Sequence, residues 1–162
     1  MSDWRTILPV SPDLLPQAAL VVERGLRGTP YLDGALEALR SAVESSDPKG
    51  RAVGTSIDGR LESVIVCGFF GGASGAGRLQ LAVVEPEVRR VRLGWLLVED
   101  AVSYLGIHGA RFVLAELPDD SHALPGAREF LESMSFREES RVENFYRDGI
   151  AQLFMRRDIT PS

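Results

Sequence analysis

Apolar positions change period several times along the chain, and each change marks an element. Residues 4–10, Trp4 to Val10, alternate as a short strand does. Ser11-Pro12-Asp13 then offers a helix start, with proline where the first amide has no partner to lose. The helix predicted behind it runs to about Arg24 and stops at Gly25. A second helix, about 31–45, carries Leu32, Ala35, Leu36, Leu39 and Val43 at helical spacing. Ser45-Ser46-Asp47-Pro48-Lys49-Gly50 ends it.

Residues 51–57 and 61–70 read as two strands joined at Asp58-Gly59, a strong hairpin signal. The glycine-rich run 71–77 lacks the terminal Lys-Ser/Thr of a phosphate loop and precedes a strand, so it reads as a hairpin connection. Residues 78–84 form the next strand, which Glu85-Pro86-Glu87 breaks. A helix from about Arg89 to Leu105 places Gly94, Leu97, Val98, Ala101, Val102 and Leu105 on one face. Residues 112–116 make a short buried strand. A helix over about 123–134 turns Leu124, Ala127, Phe130, Leu131 and Met134 inward, with Pro125 in its first turn. Residues 136–146 and 150–157 flank Arg147-Asp148-Gly149 as a closing hairpin. The order is β-α-α-β-β-β-α-β-α-β-β, with no repeat or linker, which predicts a single domain over 1–162. The fold class is α/β (α+β): one mixed, mostly antiparallel sheet with helices on both faces. The two later strand–helix units imply local parallel pairing through right-handed crossovers.

One turn conflicts with its surroundings. Arg89, Arg90 and Arg92 crowd the start of the helix that follows the strand 78–84. A helix N-terminus is already positive, so arginine there costs stability unless an anion shares the turn. A solvated surface cluster is the simpler alternative. Composition makes the cluster local: formal net charge is -5 and the pI about 5.1, which argues against general binding to nucleic acid or anionic membranes. Lys49 is the only lysine, so Schiff-base or phosphate-loop lysine chemistry is nearly excluded. Cys67 stands alone in an apolar run and reads as a core residue, which rules out an intrachain disulfide or a cysteine-cluster zinc site. Two separated histidines, His108 and His122, are too few for a typical metal triad, so no metal is expected. Without a visible signal peptide or membrane-length segment, the cytoplasm is the expected compartment.

The stretch Leu81-Ala82-Val83-Val84-Glu85-Pro86-Glu87-Val88-Arg89-Arg90-Val91-Arg92-Leu93-Gly94 resembles the GNAT superfamily of acyl-CoA N-acyltransferases. Its pattern there is a strand, often a proline, then Arg/Gln-x-x-Gly-x-Gly/Ala opening a helix. Arg89 matches the first position and Gly94 the last, while Arg92 stands where the first glycine is usual. Ala127-Arg128-Glu129-Phe130-Leu131-Glu132-Ser133-Met134-Ser135-Phe136 is similar to the family's Ala-x-x-Phe-Tyr-Glu-x-x-Gly-Phe passage, with Leu131 for tyrosine and Ser135 for glycine. Asn144 to Gly149 resembles the closing hairpin of a bacterial branch, whose acidic pair is replaced by Ile150 and Ala151. The resemblance covers about residues 79–157; residues 1–78 match in element order alone.

The resemblance implies acetyl transfer from acetyl-CoA, as co-substrate, to a primary amine of a small molecule or a protein. The amine would attack the thioester directly. The pyrophosphate would lie on amides of Arg90, Val91, Arg92, Leu93, Gly94 and Trp95, with Arg89, Arg90 and Arg92 as donors. Val83 and Val84 would pair their backbone with the pantetheine arm. Glu116 is the first candidate base and Glu85 the second; each could equally be a solvated strand-end carboxylate. Tyr146 and Tyr104 are candidate proton donors where Leu131 has replaced the usual tyrosine, and each could equally be a core aromatic. The family commonly forms homodimers. The rival reading is a catalytically degenerate member that binds acyl-CoA, or nothing, as a regulatory or interaction module. A phosphate-binding enzyme unrelated to acyl transfer gains support from the basic turn alone.

Overall fold

The computed structural model describes residues 5–47 and 49–160, apart from the side chains of Arg90 and Val91. Trp4 and Pro48 therefore lie outside the described residues. The chain opens with β1 (Thr6–Pro9), and a 3-10 turn at Pro12–Leu14 leads into α1 (Leu15–Leu26) and then α2 (Leu32–Glu44). β2 (Arg51–Ile57), β3 (Arg60–Phe69) and β4 (Ala76–Val84) follow. A 3-10 segment, Pro86–Val91, separates β4 from α3 (Leu93–Ile107). β5 (Phe112–Pro118), α4 (Ala127–Ser133), β6 (Arg137–Arg147) and β7 (Ile150–Asp158) complete the chain.

Local chemistry accounts for most of these boundaries. Asp58 and Gly59 both adopt positive φ, +50° and +79°, the combination a two-residue hairpin turn needs to match strand twist. The helix expected from Arg89 begins instead at Leu93. Arg92 has φ +62° and ψ +24°, a left-handed conformation that a right-handed helix cannot include. The helix expected from about residue 123 starts at Ala127, behind Gly126 at φ +78°. α1 overruns the predicted stop at Gly25 by one residue. Gly25 is there for contact rather than termination, because a Cβ on it would sit 2.3 Å from Val83 Cγ1.

The seven strands form one sheet in the order β1-β2-β3-β4-β5-β7-β6. β4 and β5 pair in parallel through the α3 crossover; every other pair is antiparallel. β7 inserts between β5 and β6, so of the two strand–helix units read in the sequence only β4–α3–β5 makes a neighbouring parallel pair. Leu97, Val98, Ala101 and Leu105 of α3 pack with Val113, Ala115, Leu153 and Met155 on one face. Ala18, Val21 and Val22 of α1 and Leu39 of α2 pack with Val64, Val66, Leu81 and Val83 on the other.

β4 serves both cores. Its ladder to β3 steps from Val66↔Leu81 to Cys67↔Leu79, which leaves Gln80 as an extra residue. Such a bulge bends the strand and reverses which side chains face which layer. Leu79 accordingly packs on the α3 side, while Leu81 and Val83 pack against α1 and α2. Among the described residues no helix is long and apolar enough to cross a membrane.

Candidate active site

The parallel pairing of β4 with β5 runs from Ala76↔Phe112 to Leu79↔Ala115 and stops there, although β4 continues to Val84 and β5 to Pro118. Each strand stays with its outer neighbour instead. Beyond the bulge β4 remains paired with β3 to Ser63↔Val84, and Glu85 N–H donates to Glu62 O at 2.8 Å. β5 remains paired with β7 to Pro118↔Gln152, and Asp119 N–H donates to Ala151 O at 2.9 Å. The two strands diverge, and a cleft of about 510 Å³ opens between them. Residues of both helical layers line it, Tyr31 and Ala35 from one and Phe130 and Leu131 from the other.

Glu116 is the first residue of β5 past the last paired position, so it lines the cleft at the apex of the divergence. Arg78 of β4 binds it through two nitrogens: Nη2 lies 2.9 Å from Oε1 and 3.1 Å from Oε2, and Nε lies 3.1 Å from Oε1. This charge-assisted fork fixes the carboxylate in place. Tyr146 reaches the same cleft from the closing hairpin. Between Val142↔Gln152 and Arg147↔Ile150 residues 143–146 face Ala151 alone. Asn144 takes φ +53° within this bulge, and its Oδ1 accepts from Gly149 N–H at 2.8 Å. Within this irregular stretch Tyr146 lines the cleft while staying partly exposed. Its hydroxyl donates to Gln152 Oε1 at 2.7 Å. Burial, then the negative charge of Glu116, pushes its pKa up to about 12, so it carries its proton throughout the neutral range. Leu131, where the resemblance places a tyrosine, is buried on the cleft wall.

Glu85, the second candidate base, lies elsewhere. It is buried in an ion pair with Arg24 of α1 at 2.9 Å and is not among the cleft-lining residues. Tyr104, the other candidate donor, sits on α3 with its hydroxyl on Lys49 O at 3.1 Å and the Arg51 guanidinium over its ring.

The expected anion site falls at the start of α3. Leu96 N–H donates to Arg92 O at 3.2 Å, which leaves the amides of Leu93, Gly94 and Trp95 at the start of α3 without a capping side chain or an acidic residue in the first turn. Val83 lines the cleft leading away from them, and Val84 ends its strand. Gly94 permits close packing, since a Cβ there would lie 3.2 Å from Phe130 Cζ. Trp95 is 47% exposed, with the Arg92 guanidinium 5.6 Å from its ring centre. Arg89 is engaged differently from the expectation: its Nε and Nη2 donate to Val84 O and Gly25 O, each at 3.2 Å. It ties the end of α1 to the end of β4. The predicted contributions of the Arg90 and Val91 side chains lie outside the described residues. Among the described residues no three histidine, cysteine or carboxylate side chains come together as a metal set.

Sequence reasoning missed a polar cluster beside the cleft. Tyr31 OH donates to Asp120 Oδ2 at 2.6 Å, and Arg147 Nη2 donates to the same oxygen at 3.0 Å. Asp120 Oδ1 accepts from Ala123 N–H at 3.1 Å. The Tyr31 hydroxyl above all, then the Ala123 amide, holds the Asp120 carboxyl below its ordinary pKa. The residues come from three distant segments, so no spacing rule could join them; the Asp119-Asp120 turn was the one local cue. Arg78 was missed because it reads as an ordinary polar position in an alternating strand.

No protein-family model and no curated protein sequence matches the chain. Solved structures match it over almost its whole length. A GNAT-family protein from Desulfovibrio desulfuricans superposes with a TM-score of 0.85 at 22% identity, covering 97% of this chain and 100% of that one. The fold is that of the GNAT acetyltransferases. The Escherichia coli ribosomal-protein-S18-alanine N-acetyltransferase shares this GNAT fold at a TM-score of 0.76 and 17% identity, covering 98% of this chain and 96% of its own. An aminoglycoside 6'-N-acetyltransferase in complex with coenzyme A does so at 0.76 and 16%, covering 97% and 98%. Arg92 and Ser135, where the sequence resemblance places glycine, adopt φ +62° and +68°, the region glycine enters most readily.

Proposed function

We propose that this chain is an N-acetyltransferase that transfers acetyl from acetyl-CoA to a primary amine by direct attack on the thioester. The observation that carries this reading is the cleft at the β4–β5 divergence, with Glu116 at its apex and three uncapped amides of α3 at the far end of β4.

The residues present suit acetyl-CoA, which supplies the activated thioester. The amides of Leu93, Gly94 and Trp95, at the positive end of a 15-residue helix, would accept the pyrophosphate. Arg92 stands beside them as an exposed donor. Backbone groups of β4 that β5 leaves unpaired, from Gln80 to Val83, suit the amides of an extended arm, while Val84 O already accepts from Arg89. Arg89 would brace this end of the cleft rather than grip phosphate.

An ammonium must lose a proton before it can attack. Glu116 would take it, directly or through one water, with Arg78 holding the carboxylate in the required orientation. Tyr146, protonated and in the same cleft, would swing its hydroxyl from Gln152 to hydrogen-bond to the departing sulfur. A thiolate is a competent leaving group, so this donation helps more than it decides. The layers on both sides exclude water and favour transfer over hydrolysis.

Titrating the protein with CoA by calorimetry, then following thiol release from acetyl-CoA across a broad amine panel, tests the reading. Binding followed by amine-dependent release supports it. Absence of CoA binding overturns it, and binding without release for any amine favours a non-catalytic acyl-CoA sensor.

A further inference from the structure

We infer that the acceptor is a small monoamine on an apolar or aromatic body, and neither a polycation nor the end of a polypeptide. The inference rests on the acetyl-transfer reading above and narrows its acceptor.

The first argument is charge. On the α1–α2 side the cleft wall includes Pro30, Tyr31, Ala35 and Ala38, and Tyr146 adds a second ring from the closing hairpin. Among the described lining residues the ionic groups are Arg78 and Glu116, and they neutralise each other through the fork at 2.9–3.1 Å. Glu116 can serve one ammonium. A second or third ammonium would have to shed water against alanine, proline and ring surfaces with no carboxylate to receive it, which disfavours each added charge. Asp120 cannot fill that role, because its side chain is 4% exposed and its oxygens are taken by Tyr31, Arg147 and Ala123 N–H. An aromatic or aliphatic body gains instead from the two tyrosine rings, and a single cation is also attracted by their faces.

The second argument is closure. Tyr31, between α1 and α2, and Tyr146, on the closing hairpin, both line the cleft and meet edge to face, with ring centres 5.3 Å apart. Asp120 locks the contact, bonded to the Tyr31 hydroxyl and to Arg147 on the same hairpin. A polypeptide acceptor needs an open channel for the residues behind its terminus. Here the two walls that would border that channel touch.

The test uses the full chain and acetyl-CoA, with thiol release followed for three acceptor classes: phenethylamine and hexylamine, spermidine, and a hexapeptide with a free amino terminus. CoA titration comes first, so that failure of the acetyl-transfer reading shows as absent binding. The expected result is a kcat/KM for the monoamines at least tenfold above those for spermidine and the peptide. An Ala38→Asp variant, which adds a carboxylate to the wall, should move the spermidine-to-monoamine ratio toward spermidine by about tenfold, the effect of roughly 1.4 kcal/mol. Tyr31→Ala, which opens the wall, should raise the peptide's relative rate. CoA binding with spermidine or peptide equal to the monoamines overturns the inference, as does CoA binding with no acceptor class acetylated.

Discussion

Arg78 on β4 holds Glu116 on β5 by both carboxylate oxygens, at 2.9 and 3.1 Å, where the two strands part company. The bond makes Glu116 a fixed group rather than a mobile surface carboxylate. Glu116→Gln should lower kcat by about 10²- to 10⁴-fold, the usual contribution of a positioned base, and leave CoA affinity unchanged. Arg78→Ala should lower kcat less, and Arg78→Lys should recover only part of that loss, because an ammonium keeps the charge but not the fork. Steady-state kinetics with calorimetric CoA titration checks both, and wild-type turnover in Glu116→Gln would remove it from the mechanism.

Gly25 of α1 sits tightly against Val83 of β4. A Cβ on Gly25 would meet Val83 Cγ1 at 2.3 Å, and β-branched Val83 has little rotamer freedom to move away. Gly25→Ala should cost about 1–3 kcal/mol, the range for overpacking a tight contact, and weaken CoA binding by pushing Val83 toward the arm of the ligand. The double variant Gly25→Ala/Val83→Ala should regain part of both losses in urea denaturation and calorimetry.

Arg92 holds a left-handed conformation that costs a non-glycine residue about 1–2 kcal/mol. Glycine relieves this strain but adds about 0.5–1 kcal/mol of chain entropy. Arg92→Gly should therefore stabilise the fold by no more than about 1.5 kcal/mol and raise the melting temperature slightly. CoA affinity should fall in the same variant if the guanidinium meets phosphate. Ser135→Gly, at φ +68°, offers the control: a similar gain in stability with no change in CoA affinity.

Asp120 should make the cleft wall sensitive to acid. A carboxylate with a depressed folded pKa contributes stability that is complete above its unfolded pKa and is lost as pH falls through the folded value. Tyr31, the Ala123 amide and Arg147 depress that of Asp120. The difference in melting temperature between wild type and Asp120→Asn should be constant from pH 6 to 8 and shrink below about pH 4, the ordinary aspartate range. A difference that grows with acid would mean that the cluster does not favour the ionised form.

The element order and the flanking of one mixed sheet by helices were legible because hydrophobic period and turn chemistry are local signals. Asp58-Gly59 specified its hairpin outright. The start of α3 was misread because helical spacing runs through Arg89–Arg92, and nothing in an arginine announces a left-handed residue. The site was legible only in part. Glu116 and Tyr146 both line the cleft, but Glu85 belongs to an ion pair with Arg24, and Arg89 is spent on two carbonyls. Those fates depend on which helix end lies against β4, a tertiary fact. Tyr31 and Asp120, 89 positions apart, meet through the same kind of long-range placement.

The extra residue at Gln80 has a consequence for any mutational scan of β4. Leu79, Leu81 and Val83 alternate as one buried row would, yet the row changes layers midway. Substitutions up to Leu79 will couple to changes in α3, and those from Leu81 onward to changes in α1 and α2. A map of pairwise couplings along this strand will therefore show a phase reversal at one residue, and its position marks where the sheet begins to open.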